Sequence, residues 1–357
     1  MSVGRRYLAM AVLAALLVPL LGLIAAPYVT QSAPERRLLA PPPSIPRDGA
    51  AWIMAPRRID AWFADHFAWR GPLVSAALTV DRQVGLKPRG GLEAVRGRGD
   101  WLLLYSGLLA LTGGEVRPEA AEAYARFACN LAAQSRGHAT FLLAPAPGPA
   151  EIYPEILPDW VPSGSPTQTD LLLQDADRCG LRPLDLRPAL KAAKSAGPLY
   201  QRHDSHWTDL GATVAFNGVA QRLGQPWRID PAAQAWDWEF RTDSDLARLS
   251  GNLGLAPERI ARLRVPSGFG IGPGRLGDLD HGIYKPAFET RPPGAAVTVL
   301  IIGDSYTSDY MAPLFWRAGV ALAWIHQGDC RFDRRVFDRI KPDFILLMPS
   351  TRLAACR

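Results

Sequence analysis

The chain is poor in metal ligands and arranges the few it has badly for a metal. Its 357 residues include four cysteines and six histidines. None of the cysteines forms a C-x-x-C pair, and no H-x-x-x-H or clustered carboxylate set occurs, so no metal is expected. A P-loop and a dinucleotide fingerprint are also missing, which excludes the common nucleotide-cofactor sites and leaves no cofactor expected. The formal net charge is +6. The basic residues form no Lys/Arg-rich run interleaved with aromatics, so no nucleic-acid partner is expected. Internal repeats are absent. With 48% hydrophobic residues the composition is not that of a disordered chain.

One long apolar run is present, at the start. Arg5 and Arg6 precede nearly continuous apolar sequence from Tyr7 to Ala26. About 20 such residues span a bilayer, and the basic flank stays cytoplasmic. Residues 1–26 are therefore expected to be a signal-anchor, or a signal peptide, with an inner-membrane anchor at 7–26 and the remaining chain periplasmic. Residues 27–56, with Pro34, Pro41, Pro42, Pro43, Pro46 and Pro56, read as an extended proline-rich linker. Residues 57–357 read as one exported domain. Four cysteines in an oxidising space permit two disulfides; sequence proximity favours Cys129–Cys179 and Cys330–Cys356, with buried thiols as the alternative.

Within that domain, short apolar runs alternate with helical patterns. Helices are expected at Ile59–Phe67, Leu73–Val84, Ala120–Ser135, Thr167–Arg178, Asp209–Leu223 and Met311–Ala318. Strands are expected at Trp101–Tyr105, Ala139–Ala144, Leu184–Leu186, Val297–Ile302, Val320–Ile325 and Asp343–Met348, with a helix between the last two. This alternation predicts an α/β fold, a parallel sheet flanked by helices. Residues 226–291 are rich in Gly, Pro, Asp and Trp with little periodicity, and read as an irregular insert.

Two constellations carry chemistry. Gly303-Asp304-Ser305-Tyr306 follows the strongest strand and opens a helix, so Ser305 stands at the carboxyl edge of the sheet. Backbone N–H groups there can hold an oxyanion, although Asp304 or Ser305 could simply cap the helix. Asp204-Ser205-His206-Trp207 supplies a base and a carboxylate. A serine needs a base, and the base needs an orienting acid. In an extended segment, residues two apart point to one face, so Asp204 can reach the imidazole nitrogen that faces away from Ser305. The catalytic candidates are Ser305, His206 and Asp204. His203 competes as base but would face oppositely. Tyr306, Tyr310 and Trp207 are candidate substrate contacts, with packing as the alternative for the tyrosines.

Asp204-Ser205-His206-Trp207 resembles the D-[ST]-H-W motif of the alginate O-acetyltransferase family of AlgJ/AlgX type. Gly303-Asp304-Ser305 is similar to that family's nucleophile block. So are Glu35-Arg36-Arg37-Leu38, Phe63 to Arg70, Ile152-Tyr153-Pro154-Glu155 with Leu157-Pro158, and Ser244-Asp245-Leu246 to its other motifs. The resemblance implies an SGNH-hydrolase-like fold. It also implies a periplasmic acetyltransferase acting on an exopolysaccharide, with a membrane-bound O-acyltransferase as acetyl donor. Pro349-Ser350-Thr351-Arg352 departs from the family, keeping only the arginine of its Glu-Arg pair. No carbohydrate-binding module is expected after it, and alginate itself is not indicated. A carbohydrate acetylesterase and a non-catalytic glycan-binding component remain as alternatives.

Overall fold

A computed structural model describes residues 31–32, 37–38, 40–43, 49–66, 94–105, 107–241, 244–249, 255–282, 284–353 and 356. The chain divides into two compact units, residues 1–92 with 247–254, and residues 93–246 with 255–357. In the first unit, β1 (Gln31–Ser32) pairs antiparallel with β2 (Arg37–Leu38), and α1 spans Gly49–His66. The helix is longer than expected and runs through Pro56, so residues 49–56 are helical rather than extended. The expected membrane anchor at 7–26 and the helix at 73–84 lie outside the described residues. Among the described residues no helix is long and apolar enough to cross a membrane.

The second unit opens with an antiparallel hairpin, β3 (Ala94–Arg96) and β4 (Leu102–Leu104), followed by α2 (Leu108–Leu111). Next come α3 (Pro118–Ser135), β5 (Thr140–Leu143), α4 (Pro149–Ile152), α5 (Gln168–Arg178), α6 (Arg187–Ala192) and α7 (Asp209–Arg222). A second hairpin of β6 (Trp236–Arg241) and β7 (Glu258–Leu263) brackets α8 (Asp245–Leu249). The remainder is β8 (Phe288–Thr290), β9 (Thr298–Gly303), α9 (Ser305–Ser308), α10 (Met311–Arg317), β10 (Ala321–His326), α11 (Arg335–Ile340) and β11 (Phe344–Met348).

Five strands form the main sheet in the order β5-β11-β9-β10-β8. The first four are parallel, and β8 joins the edge antiparallel, so the sheet is mixed rather than wholly parallel. All six residues of β9 are buried, as a central strand covered on both faces requires. Alternate side chains serve opposite faces. Val299, Ile301, Leu322, Trp324 and Leu346 pack with Phe216 of α7 and Phe315 of α10. Leu300, Ile302, Ala323, Ile325 and Ile345 pack with Tyr124 and Leu131 of α3, Leu172 of α5 and Val336 of α11. Disulfides join Cys129 to Cys179 and Cys330 to Cys356, the pairing that sequence proximity favours.

Two local expectations need correction, and one expected strand forms away from the main sheet. Leu184–Leu186 is not a strand. Pro183 has no N–H, Leu184 donates one bond to Leu143 O at 2.8 Å, and Asp185 Oδ1 then accepts Arg187 N–H at 2.9 Å to start α6. The Trp101–Tyr105 run pairs in the opening hairpin, outside the main sheet. Residues 226–291 are not structureless, since they hold the β6–β7 hairpin, α8 and the edge strand β8.

Candidate active site

The carboxyl end of β9 lies mid-sheet, where the chain must turn sharply into α9. Gly303 allows the turn: a Cβ there would stand 2.2 Å from Thr307 Oγ1 and 3.1 Å from Met348 O. Asp304, 1% exposed, then caps the helix. Its Oδ1 accepts Tyr306 N–H at 3.1 Å. Its Oδ2 accepts Ser350 N–H at 2.7 Å and Ser350 Oγ–H at 2.8 Å, which ties the loop after β9 to the segment after β11. Capping is thus the role of Asp304, and it leaves Ser305 at the first helical position.

The partner loop comes from residues 199–208. Gln201 N–H donates to His206 O at 3.2 Å and Thr208 N–H to Leu199 O at 2.8 Å, closing the loop. The start of α7 packs against its base so tightly that a Cβ on Gly211 would lie 2.2 Å from Leu199 O. Between these ties the backbone bends rather than extends. His206 N–H donates to Asp204 Oδ1 at 3.1 Å, an Asx-type turn. The turn, not strand alternation, sets the two side chains together.

His206 Nδ1–H donates to Asp204 Oδ1 at 2.5 Å, and His206 Nε2 lies 2.8 Å from Ser305 Oγ. The carboxylate acceptor fixes the proton on Nδ1 and leaves the Nε2 lone pair toward the serine. Burial acts to raise the Asp204 carboxyl. The bond and charge of His206, with N–H groups of Asp245 and His206, outweigh it and hold Asp204 well below the usual carboxylate range. His203 points elsewhere, its Nε2 3.1 Å from Asp100 O.

Asp245, at the start of α8, belongs to the site although it lies in neither of the two constellations. Its Oδ1 accepts Ser205 N–H at 2.8 Å, its Oδ2 accepts Ser205 Oγ–H at 2.5 Å, and its own N–H donates to Asp204 Oδ2 at 3.1 Å. Its Oδ2 is 3.8 Å from His206 Nδ1. The only sequence signal was the family-like Ser244-Asp245-Leu246. Asp204, His206 and Asp245 bring one potential metal-ligand atom each within 4.8 Å of one another. Asp204 Oδ1 bonds to the imidazole, and the Asp245 carboxylate bonds to Ser205 beside it.

The two tyrosines take the packing place given as their alternative, and Trp207 is enclosed with them. Trp207 is fully buried and its indole N–H donates to Tyr306 O at 3.0 Å. Tyr306 is 1% exposed and its phenol donates to Ser205 O. Neither ring keeps a face for a substrate; both brace the His206 loop. Tyr310 is 7% exposed, accepts Gln201 Nε2–H at 2.8 Å and lies 6.0 Å from the His206 ring. Burial pushes the phenols of Tyr306 and Tyr310 far above their ordinary value, so both stay neutral.

With this geometry in hand, the similarities to known proteins take on meaning. A family model described as "SGNH hydrolase-like domain, acetyltransferase AlgX" matches residues 94–259, which include Asp204 and His206. Over 86 residues the chain is 37% identical to the probable alginate O-acetylase AlgJ of Pseudomonas syringae pv. tomato, covering 23% of this chain and 20% of that protein. The chain therefore matches about a fifth of that relative's length. A DHHW family protein from Eubacterium siraeum superposes with a TM-score of 0.53 at 13% identity, over 74% of this chain and 95% of that one. Bacillus cereus PatB1 with a sulfonyl adduct gives 0.53 at 13% identity, over 72% and 94%. These two structures share the fold. The family match over residues 94–259 and the local identity to AlgJ make this part of the chain similar to the SGNH hydrolase-like acetyltransferases of AlgJ and AlgX type.

Proposed function

We propose that the protein is a serine-dependent O-acetyltransferase that acetylates an exopolysaccharide in the periplasm. The observation that carries this reading is the linear relay from Ser305 Oγ through His206 to Asp204, with contacts of 2.8 and 2.5 Å. Ser305 Oγ attacks the carbonyl carbon of an acetyl donor while its proton passes to His206 Nε2. Asp204 steadies the imidazolium. The Ser305 N–H, at the start of α9, helps hold the oxyanion. Collapse expels the donor's leaving group, which takes the proton from His206, and leaves acetyl on Ser305. A sugar hydroxyl then gives its proton to His206 and attacks the acetyl carbonyl, and collapse breaks the ester bond to Ser305 as His206 returns the proton to Ser305 Oγ. A membrane-bound O-acyltransferase supplies the acetyl group, and residues 7–26 keep the enzyme at the membrane.

The test uses 4-nitrophenyl acetate as donor and intact-mass spectrometry. The wild type gains one acetyl group, mapped to the peptide holding Ser305, and Ser305→Ala gains none. Asp204→Asn acetylates roughly 10³–10⁴-fold more slowly, because the imidazole tautomer is lost. Oligosaccharide then discharges the acetyl group onto sugar. Release of acetate at a rate no sugar alters would make the enzyme an esterase. A folded wild type that never acquires the acetyl group would sink the enzymatic reading.

A further inference from the structure

One strand away from the nucleophile, a second feature opens on the same edge of the sheet. β10 pairs with β9 so that His326 lies opposite Gly303, and Gln327 N–H donates to Gly303 O at 2.8 Å. The chain after His326 runs through Gly328, Asp329 and Cys330, all with positive φ, at 55°, 51° and 71°. Two of the three are not glycine, so this bend stores strain, and Cys330 is held there by its bond to Cys356. The bend forms one wall of a cleft of about 490 Å³, also lined by Asp280, Tyr284, His326, Asp329 and Asp333. That volume is in the range of small-molecule sites. Strand edges of this kind are where α/β sheets bind ligands.

The polar groups of the cleft are fixed in direction. Tyr284 stacks on His326 with ring centroids 4.2 Å apart and planes 7° apart, and its phenol donates to Asp329 Oδ2 at 2.8 Å. Gly328 N–H donates to His326 Nδ1 at 2.9 Å, so the ring carries its proton on Nε2 and offers a donor. Burial lowers the His326 pKa against the pull of Asp304 and Asp329, in keeping with a neutral ring. The carboxylates of Asp280, Asp329 and Asp333 line the cleft with the Arg331 guanidinium; Asp333 is paired with Arg335 at 2.5 Å, which leaves Asp280 and Asp329 as its open acceptors. The next residue along the chain, Lys285, donates to Ser308 Oγ at 3.1 Å and pairs with Asp309, so the cleft wall runs on directly beside α9.

We infer that this cleft binds one or more sugar units of an uncharged acceptor glycan, adjacent to Ser305. Carboxylates and a neutral imidazole N–H match vicinal hydroxyls as acceptors and donor. Asp280 and Asp329, facing the single Arg331 guanidinium, leave a net negative charge that repels a polyuronate, which carries a negative charge on every residue. The inference rests on the acetyltransferase reading for the ligand's role as acceptor, but binding is measured independently of turnover.

The experiment titrates the full-length protein with cellohexaose and, separately, with a mannuronate hexamer, by calorimetry. Cellohexaose binds, and the mannuronate hexamer binds more weakly or not at all. Asp329→Asn keeps a residue type that tolerates positive φ, and it weakens cellohexaose binding by about tenfold or more. Tyr284→Phe keeps the stacked ring and weakens binding less. Both variants still acetylate Ser305 from 4-nitrophenyl acetate at the wild-type rate. The inference is overturned if cellohexaose fails to bind, if the uronate binds tighter, or if Asp329→Asn leaves affinity unchanged. Loss of Ser305 acetylation in the wild type would instead overturn the acetyltransferase reading, whatever the cleft binds.

Discussion

Glu151 shows how a single carboxyl group can set a pH limit on this fold. Its side chain is almost wholly enclosed. Oε1 accepts Thr169 Oγ–H at 2.6 Å, and Oε2 accepts Thr351 Oγ–H at 2.6 Å and Gly148 N–H at 2.9 Å. Thr351 adjoins Ser350, which holds Asp304, so Glu151 is two links from the Ser305 turn. Burial raises its pKa, and the three hydrogen bonds with the nearby Arg187 only partly offset that rise. A folded-state pKa above the unfolded one favours folding fully below the ordinary value of 4.5. That contribution is lost as pH rises through the raised value. Asp204, with a depressed pKa, has the opposite sign: its contribution is present above the ordinary aspartate value and lost in acid. Glu151→Gln removes the ionisation and keeps the shape. Urea midpoints measured across pH should show the variant gaining on the wild type as pH climbs above about 4.5, and parallel curves would refute the assignment. Residue types show how much of this neighbourhood was legible beforehand. A serine after a buried strand and an Asp-x-His pair announce a relay by their chemistry. Asp245 does not, because its role arises only when the start of α8 folds back onto Ser205, 40 positions upstream.

Elements were legible where burial and periodicity agree. β9 is buried throughout and central, and α3 repeats buried Ala121, Tyr124, Ala128 and Leu131 at helical spacing. They were illegible where the two part. β6 alternates as Trp-Asp-Trp-Glu-Phe-Arg, yet Trp238 and Phe240 face outward at 56% and 73% exposure, with the Arg259 guanidinium 4.0 Å over the Trp238 ring. An apolar face turned to solvent on a two-stranded hairpin does not look like a sheet built around a core. Helix starts give a sharper test of local logic. Thr167 Oγ1 accepts Asp170 N–H at 3.2 Å, and Asp170 Oδ2 accepts Thr167 N–H at 2.9 Å, a reciprocal box at the start of α5. Thr208 caps α7 by accepting Gly211 N–H at 3.2 Å, and its hydroxyl donates to Pro198 O at 2.7 Å across the base of the His206 loop. Replacing either threonine with alanine should cost about 1 kcal/mol in urea unfolding. Only Thr208→Ala should also slow acetylation of Ser305, since it alone frees the loop that aims His206. Equal rates in the two variants would show that the cap and the relay are uncoupled.

At the scale of the whole molecule, the two disulfides secure different regions. Cys129–Cys179 closes 50 residues and joins α3 to the end of α5, under the sheet face opposite α7 and α10. Cys330–Cys356 closes 26 residues and pins the positive-φ bend beside the cleft to the chain after β11. All four cysteines are paired, which an oxidising compartment permits. If cross-links act mainly on the unfolded chain, each contributes about 3–4 kcal/mol. The longer loop then contributes about 0.6 kcal/mol more, because its span is nearly double. Replacing Cys129 and Cys179 together with serine should therefore lower the urea stability slightly more than replacing Cys330 and Cys356. Ligand binding should follow the reverse order. The second pair holds Asp329 and Cys330 in a backbone region that non-glycine residues avoid, and freeing it lets the bend relax and the cleft wall shift. Cellohexaose titrations of the two double variants, beside their unfolding curves, separate the two contributions. A Cys330/Cys356 variant that loses stability but binds as the wild type would show that the bend is held by Tyr284 and His326 without help from the cross-link.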